Sequence, residues 1–283
     1  PDPVQPTASV TEPTPTTDPE LSPEPSSEPS PEPTPEPSPE PSPVPTPSGP
    51  WYQAALDFAC DHRILLGDPS GNMMPNDNAT RAQMAAMLVR VFGCTASKDI
   101  AHFTDVSTTA WYYSELSTAA QMNIFNGYGD GTMGPNRSIT RQEAMVVIAR
   151  AFAVPDGTAA DIQAFRDASS VGSWAVAKVG GLVKAGIVNG DNGSLYPTAS
   201  ITRAEIAQML YNLGLQFCSD AAALPASGRV IYTGATPLTA DAFTGTLYLG
   251  GPAGRDLGGM NITGTLVVRT DPNGTVTVGG TVD

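Results

Sequence analysis

The stretch that decides the fold is Ser138-Ile139-Thr140-Arg141-Gln142-Glu143-Ala144-Met145-Val146-Val147-Ile148-Ala149-Arg150-Ala151. Thr140 is followed three residues later by Glu143, and then by an apolar run. That is the signature of a capping box, in which the first free N–H groups of a helix are satisfied by its own side chains. Ala144, Val147, Ile148 and Ala151 fall on one helical face. The same phrase occurs twice more, as Thr80-Arg81-Ala82-Gln83 and Thr202-Arg203-Ala204-Glu205. The stripes that follow are Met84, Met87, Leu88, Val91 and Ile206, Met209, Leu210, Leu213. Thr80, Gln83, Thr140, Glu143, Thr202 and Glu205 are therefore assigned as capping residues.

Upstream of each phrase the order also repeats. Trp51, Trp111 and Trp174 are 60 and 63 residues apart, and Arg81, Arg141 and Arg203 are 60 and 62 apart. After each Trp comes an amphipathic stretch: Leu56, Ala59, Cys60, Ile64, then Leu116, Ala119, Ala120, Ile124, then Val179, Leu182, Val183, Ile187. Gly67, Gly127 and Gly190 are read as ending these helices. A loop of Gly, Asp and Asn follows and closes at Pro75, Pro135 or Pro197, residues suited to turns and left-handed backbone. One such unit buries little apolar surface alone. Three packed together make a core. The predicted fold is mainly α: a pseudo-threefold bundle of three helix–loop–helix repeats, with a disordered Pro-rich N-terminal tail and a small C-terminal β segment. The expected boundaries are residues 1–50 for the tail, 51–94, 103–154 and 165–216 for the repeats, and 228–283 for the β part.

The tail holds 19 of the 28 prolines and nine acidic residues, with no Lys or Arg. Prolines at every second position remove donors and fix φ, so an extended spacer is expected. It carries −9 of the formal charge of −14. With no basic patch, nucleic acid is excluded as a partner. No apolar run of about 18 residues exists, so no membrane span is expected. The sequence lacks an initiator Met and an apolar signal segment, read as a start after processing or within a longer protein. Cys60, Cys94 and Cys218 have no metal-ligand spacing; a Cys60–Cys94 bridge is compatible, and buried thiols are the preferred reading.

Past Cys218, Arg229-Val230-Ile231-Tyr232, Gly245-Thr246-Leu247-Tyr248-Leu249, Gly264-Thr265-Leu266-Val267-Val268 and Gly274-Thr275-Val276-Thr277-Val278 read as strands. Their shared Gly-Thr start fits a small antiparallel sheet or the first rungs of a β-solenoid that continues past Asp283.

Ile139-Thr140-Arg141-Gln142-Glu143 and Ile201-Thr202-Arg203-Ala204-Glu205 resemble the Ile-Thr-Arg-Ala-Glu motif of S-layer homology domains. Phe103-Thr104-Asp105-Val106 and Phe165-Arg166-Asp167-Ala168 resemble that family's Phe-x-Asp-Val lead, and residues 127–136 resemble its Gly-x-x-Asp-Gly-x-x-x-Pro-Asn loop. The resemblance covers residues 50–216 in three copies. It implies grooves between adjacent repeats that bind secondary cell-wall polysaccharide, often pyruvylated, at an extracellular wall or S-layer. It implies a non-catalytic anchor; the alternatives are a self-associating S-layer subunit, or the anchor of a larger polysaccharide-active enzyme or adhesin. The first copy departs from the pattern: it lacks the lead, and Ala79 and Gln83 stand where the motif has Ile and Glu. Its groove is expected to be weakened.

An Arg at the first helical position sits beside unpaired N–H groups and offers a two-pronged donor to a carboxylate. Arg81, Arg141 and Arg203 are thus candidates to hold a pyruvyl carboxylate. Their alternative is an ion pair with Asp105 or Asp167 of a neighbouring repeat. Arg141 and Arg203 are expected to contribute more than Arg81, and their replacement by Ala to weaken binding without unfolding the bundle. Trp51, Trp111 and Trp174 could stack on sugars or pack between repeats. With Gly127, Gly190, Asp105 and Asp167 they complete the candidate polysaccharide site.

Enzyme readings find no support. In the loop starting at Asn126, Tyr128 and Arg137 stand where a calcium loop needs ligands. His62 and His102 belong to no triad or metal motif, and no phosphate loop occurs. No cofactor, metal or catalytic residue is assigned.

Overall fold

The three capping boxes form as the sequence predicts. In this computed structural model, which describes residues 49–238, 240–251, 255–257, 259–270 and 276–277, the chain makes six α-helices and a C-terminal parallel sheet. They are α1 (Gln53–Asp61), α2 (Arg81–Phe92), α3 (Tyr113–Gln121), α4 (Arg141–Ala151), α5 (Val176–Lys184) and α6 (Arg203–Asn212). At α2, α4 and α6 the Thr hydroxyl accepts from the backbone N–H three residues on, and the Gln or Glu side chain accepts from the Thr N–H. The expected tail falls on residues outside those described, apart from Gly49 and Pro50.

The first helix of each repeat ends earlier than the glycines suggest. Arg63, Asn123 and Gly186 take left-handed backbone, with φ of 55°, 57° and 69°. The next residues, Ile64, Ile124 and Ile187, donate back to the carbonyls of Ala59, Ala119 and Leu182. This is a left-handed helix stop with an apolar residue folded under it. The isoleucines are buried but lie past the helix end. Gly67, Gly127 and Gly190 lie further on and have a different purpose. A Cβ on Gly127 would stand 2.1 Å from a ring carbon of Phe103, and one on Gly190 2.5 Å from Phe165. These glycines let the loop close over the lead aromatic.

The repeats are joined by backbone. Ala79 N–H donates to Ile201 O at 2.9 Å, Ile201 N–H to Ile139 O at 3.1 Å, and Ile139 N–H to Ala79 O at 3.0 Å. These three bonds run in a cycle. Helix pairing follows the same order: α2 packs on α3, α4 on α5, and α6 on α1. The apolar stripes of all six helices meet in one core, in which Met84, Leu88, Ile148, Ile206 and Leu210 are fully covered.

The β part is parallel, not antiparallel. The four-stranded sheet runs β1 (Leu215–Cys218), β2 (Ser227–Tyr232), β3 (Ala242–Leu249), β5 (Asn261–Val268), and the short β4 (Arg255–Asp256) pairs in parallel with β6 (Val276–Thr277). Strand β1 was not legible, because it follows α6 with only two residues between. Of the fourth sequence run, Gly274, Thr275 and Val278 lie outside the described residues. The register stacks Gly228, Gly245 and Gly264, with φ of 113°, 125° and 136°. A Cβ on Gly245 would meet Gly228 O at 2.3 Å, and one on Gly264 would meet Gly245 O at 2.1 Å. That close approach explains the recurring glycine at these strand starts.

The sheet lies on the C-terminal ends of the second helices. Ile231, Tyr248 and Val267, neighbours in register, face the helical core, whereas Tyr232, Leu247, Leu249 and Ile262 form a second cluster. Gly251 N–H donates to Phe92 O of α2. Arg269 donates to Ala151 O and Arg150 O of α4, and Arg229 to Leu213 O just past α6. Tyr248 Oη donates to Phe152 O at 3.0 Å. The sheet thus supplies partners for carbonyls that helix ends leave over. Among the cysteines, Cys60 is half-buried, while Cys94 and Cys218 are buried thiols that donate to the carbonyls of Arg269 and Asp220.

Candidate functional site

The N-termini of α2, α4 and α6 are not vacant anion sites. The N–H groups of Arg81, Arg141 and Arg203 donate to Arg137 O, Ala199 O and Asp77 O of the following repeat in the cycle. The next N–H groups, of Ala82, Gln142 and Ala204, donate to Pro135 O, Pro197 O and Pro75 O. The third go to the capping threonines. The loop prolines close the loops where their carbonyls meet these donors.

The three arginine side chains are buried, with 5%, 8% and 5% of their residue surfaces exposed. Each Nε donates to a loop carbonyl of the next repeat: Arg81 to Met133 O at 2.9 Å, Arg141 to Leu195 O at 2.8 Å, Arg203 to Met73 O at 2.8 Å. Arg81 and Arg203 also donate through Nη2, to Asn126 O and Leu66 O. The arginines therefore hold the loops, which sequence reading did not foresee. Replacing them by Ala is expected to destabilise the bundle, against the expectation that it would not.

Their Nη1 groups differ. That of Arg81 lies 3.7 Å from Glu143, and that of Arg141 pairs with Glu205. The acid partner is thus the capping Glu of the next repeat, not Asp105 or Asp167. In the cycle the third partner position belongs to Gln83, and no carboxylate pairs with Arg203 among the described residues. Burial lowers the pKa of Arg203, with Arg90 adding to the shift and Asp77 opposing it.

Asp105 and Asp167, both placed in the candidate polysaccharide site, each hold a loop of their own repeat. Asp105 accepts from the N–H groups of Met133 and Gly134, both at 2.8 Å. Asp167 accepts from Leu195 at 2.8 Å and Tyr196 at 2.7 Å. Each carboxylate pins its loop with both oxygens.

Among the described residues, grooves open between repeats at two places. One, of 640 Å³, is lined by Gly190, Asp191, Glu205 and Asn212 of the third repeat, Arg141 of the second and Trp51 of the first. The other, of 340 Å³, is lined by Asp68, Gln83 and Arg90 of the first repeat, Trp111 of the second and Arg203 of the third. Both follow one recipe: a loop and second helix, the Arg of the preceding repeat and the Trp of the next. Trp51, Trp111 and Trp174 are 65%, 59% and 56% exposed, so these indoles are available at the surface rather than spent on the core.

At the third equivalent position, between Arg81 and Glu143, Tyr128 takes the place of Asp68 and Asp191. Its ring lies 4.4 Å from the Arg81 guanidinium and 4.7 Å from that of Arg137, and its hydroxyl is 2.9 Å from Glu143. Burial raises the Tyr128 pKa, and the hydrogen bond to Glu143 adds to it. For Glu143 burial acts upward, but bonds from Thr140 and Tyr128 and the Arg81 charge outweigh it and leave the pKa lowered. Tyr128, Arg90, Asp68 and Asp191 were not singled out for the site. Aligning the three copies at the glycine would have shown the Asp–Tyr–Asp alternation.

The S-layer homology domain model matches residues 46–85, 102–145 and 164–207. The chain is similar to a Surface-layer 125 kDa protein of Lysinibacillus sphaericus, 32% identical over 158 residues, which are 54% of this chain and 13% of that protein. It is similar to an amylopullulanase of Thermoanaerobacterium thermosulfurigenes, 29% identical over 58% of this chain and 9% of the enzyme. A cellulosome-anchoring protein of Acetivibrio thermocellus is 31% identical over 52% of this chain and 34% of its own length. The chain spans well under two thirds of each of these relatives. Three matches in tandem, each ending within the helix that begins at the capping Thr-Arg phrase, identify the helical part of this chain as three tandem S-layer homology domains.

Proposed function

We propose that this chain anchors a surface protein to secondary cell-wall polysaccharide, gripping sugars that carry a carboxylate such as a pyruvyl ketal. The observation that carries the reading is the groove recipe itself: a buried guanidinium at the floor and an exposed indole at the rim. An indole covers the C–H face of a sugar ring, and a guanidinium meets a carboxylate with two donors. The family and the surface-protein relatives give the chain an extracellular, cell-surface location. Its similarity to enzymes falls on the anchoring domains, so the role is binding rather than catalysis.

In this reading residues 51–94, 103–154 and 165–216 are the repeats of a pseudo-threefold bundle, supported by the cyclic bonds among Ala79, Ile139 and Ile201. Arg141 and Arg203 are the ligand arginines, Trp51 and Trp111 the stacking platforms, and Gly190 part of the groove wall. Arg81 belongs to the position that Tyr128 covers, and the order of the repeats assigns Trp174 to the same position. The parallel sheet is read as the first rungs of a β-solenoid.

Sedimentation with purified wall polymer, with and without its pyruvyl groups, tests the proposal. Retention on the pyruvylated polymer is expected. Equal retention on both forms overturns carboxylate recognition, and retention on neither overturns anchoring.

A further inference from the structure

Four Asn-Gly steps occur in the sequence, at 126–127, 189–190, 192–193 and 273–274, the last outside the described residues. In such a pair the asparagine side chain reacts readily with its own backbone, because glycine puts no side chain in the way of the attacking nitrogen. The three described steps are held differently. Asn126 O accepts from the Arg81 Nη2 group at 3.1 Å, which fixes the peptide that contains the Gly127 nitrogen. Asn192 and Gly193 are the turn residues of a hairpin closed by both backbone bonds between Asp191 and Ser194, with left-handed φ of 46° and 75°. The Asn192 amide also donates to the Asp191 carboxylate.

The Asn189–Gly190 peptide has neither restraint. The Arg141 donors go to Leu195 O and Glu205. Among the described residues no hydrogen bond reaches Asn189 O, the Asn189 side chain or the Gly190 N–H. Of Gly67, Gly127 and Gly190, it is Gly190 that has positive φ, 69°. Asn189 is exposed, and both residues line the groove floored by Arg141.

We propose that Asn189 is a site of spontaneous deamidation, and that the acidic residue it leaves loosens the groove floored by Arg141. The Gly190 nitrogen attacks the side-chain carbonyl carbon of Asn189, and a five-membered imide closes. The Cγ–Nδ2 bond breaks, and ammonia leaves with the proton that the Gly190 nitrogen gives up. Water then opens the imide on either side, to aspartate or to isoaspartate. Either product adds a carboxylate beside Asp191 and Glu205, and like charge there opposes an anionic ligand. Isoaspartate also lengthens the backbone by one carbon ahead of Gly190, where the loop is close-packed: a Cβ on Gly190 would already stand 2.5 Å from Phe165. The groove floored by Arg203 has Leu66 at this place, which cannot react in this way. The chemical step stands on the geometry alone, and the loosening rests on the anchoring reading.

Ageing the full chain tests both parts. The chain is held in mildly alkaline buffer, folded or unfolded in urea, and each Asn-Gly peptide is followed by mass spectrometry and isoaspartate methyltransferase labelling. In urea the three steps should react alike. In the folded chain Asn189 should lead, with Asn126 slower by about tenfold or more, the slowing expected when a bond to a charged donor must break first. A folded chain in which Asn126 or Asn192 keeps pace with Asn189, or in which Asn189 reacts only in urea, overturns the modification site. Retention on pyruvylated wall polymer is then compared for the fresh chain, the aged chain and an aged Asn189→Gln chain, whose longer side chain closes the imide poorly. The aged wild type should lose part of its retention, and Asn189→Gln should keep it. Full retention with Asn189 converted overturns the loosening and leaves the modification standing. A fresh chain that is not retained ends the anchoring reading and the loosening with it, while the mass measurement still decides the modification.

Discussion

The groove floored by Arg203 and the position floored by Arg81 start from the same sequence phrase and reach opposite outcomes. At Arg203 the neighbouring repeat offers an amide, Gln83, and leaves an opening of 340 Å³. At Arg81 it offers Glu143, and Tyr128 lies over both charges. Two substitutions relative to the other copies, one at the capping position and one after the loop glycine, separate a buried arginine with no ion-pair partner among the described residues from an equally buried one paired to a Glu beneath a tyrosine ring. The repeat motif sets the scaffold, and residues outside its most regular positions set what each groove can do.

The largest expected effect breaks the sealed pair. Arg81→Ala leaves Glu143 half-buried without its cation and should cost about 3 kcal/mol in urea unfolding. Arg203→Ala strands two carbonyls but no charge and should cost less, about 2 kcal/mol. Equal costs would mean that the Arg81–Glu143 pair adds nothing beyond the loop bonds. Next is Tyr128→Asp, which copies the residue of the other two repeats. It should destabilise the chain by about 1–2 kcal/mol through loss of the stacked cations and the Glu143 bond, and open a groove against Trp174 that a crystal structure of the variant would reveal. A groove that stays closed would show that Tyr128 is not what covers it. Smaller still are Thr80→Ala, Thr140→Ala and Thr202→Ala, each expected to cost about 1 kcal/mol. Here the copies should agree, since all three caps are complete.

The smallest effect is on pH dependence. The Glu143 pKa is lowered in the folded chain, so its contribution is present above the ordinary carboxylate value of 4.5 and is lost as pH falls through the folded value. Glu143→Gln should flatten that acid limb in urea midpoints measured against pH. Gln83 at the equivalent position has no such limb, so Gln83→Ala should leave the slope unchanged.

The second helices were fully legible, because capping boxes and apolar stripes are local patterns and these helices obey both. The ends of the first helices were misplaced because the stop lies at Arg63, Asn123 and Gly186, only one of which is a glycine. The arginines were recognised as special but given only half their work, since nothing local reveals that loop carbonyls from the next repeat come to meet them. Asp105 and Asp167 were assigned to a ligand for the same reason: their partners are backbone N–H groups 28 and 29 residues away. After Cys218 the strands β2, β3 and β5 were found and the short β4 was missed, and the parallel pairing depends on a register between segments that the runs themselves do not carry.

The seat of the sheet on α2, α4 and α6 has a mechanical side. Gly251, Arg269 and Arg229 attach the β segment to the ends of three different helices. Tension entering through the sheet is therefore divided among three attachments that must shear together, instead of peeling one helix from its end. Pulling the chain from its C-terminal side should then produce one high-force rupture of the whole body, not a staircase of repeats.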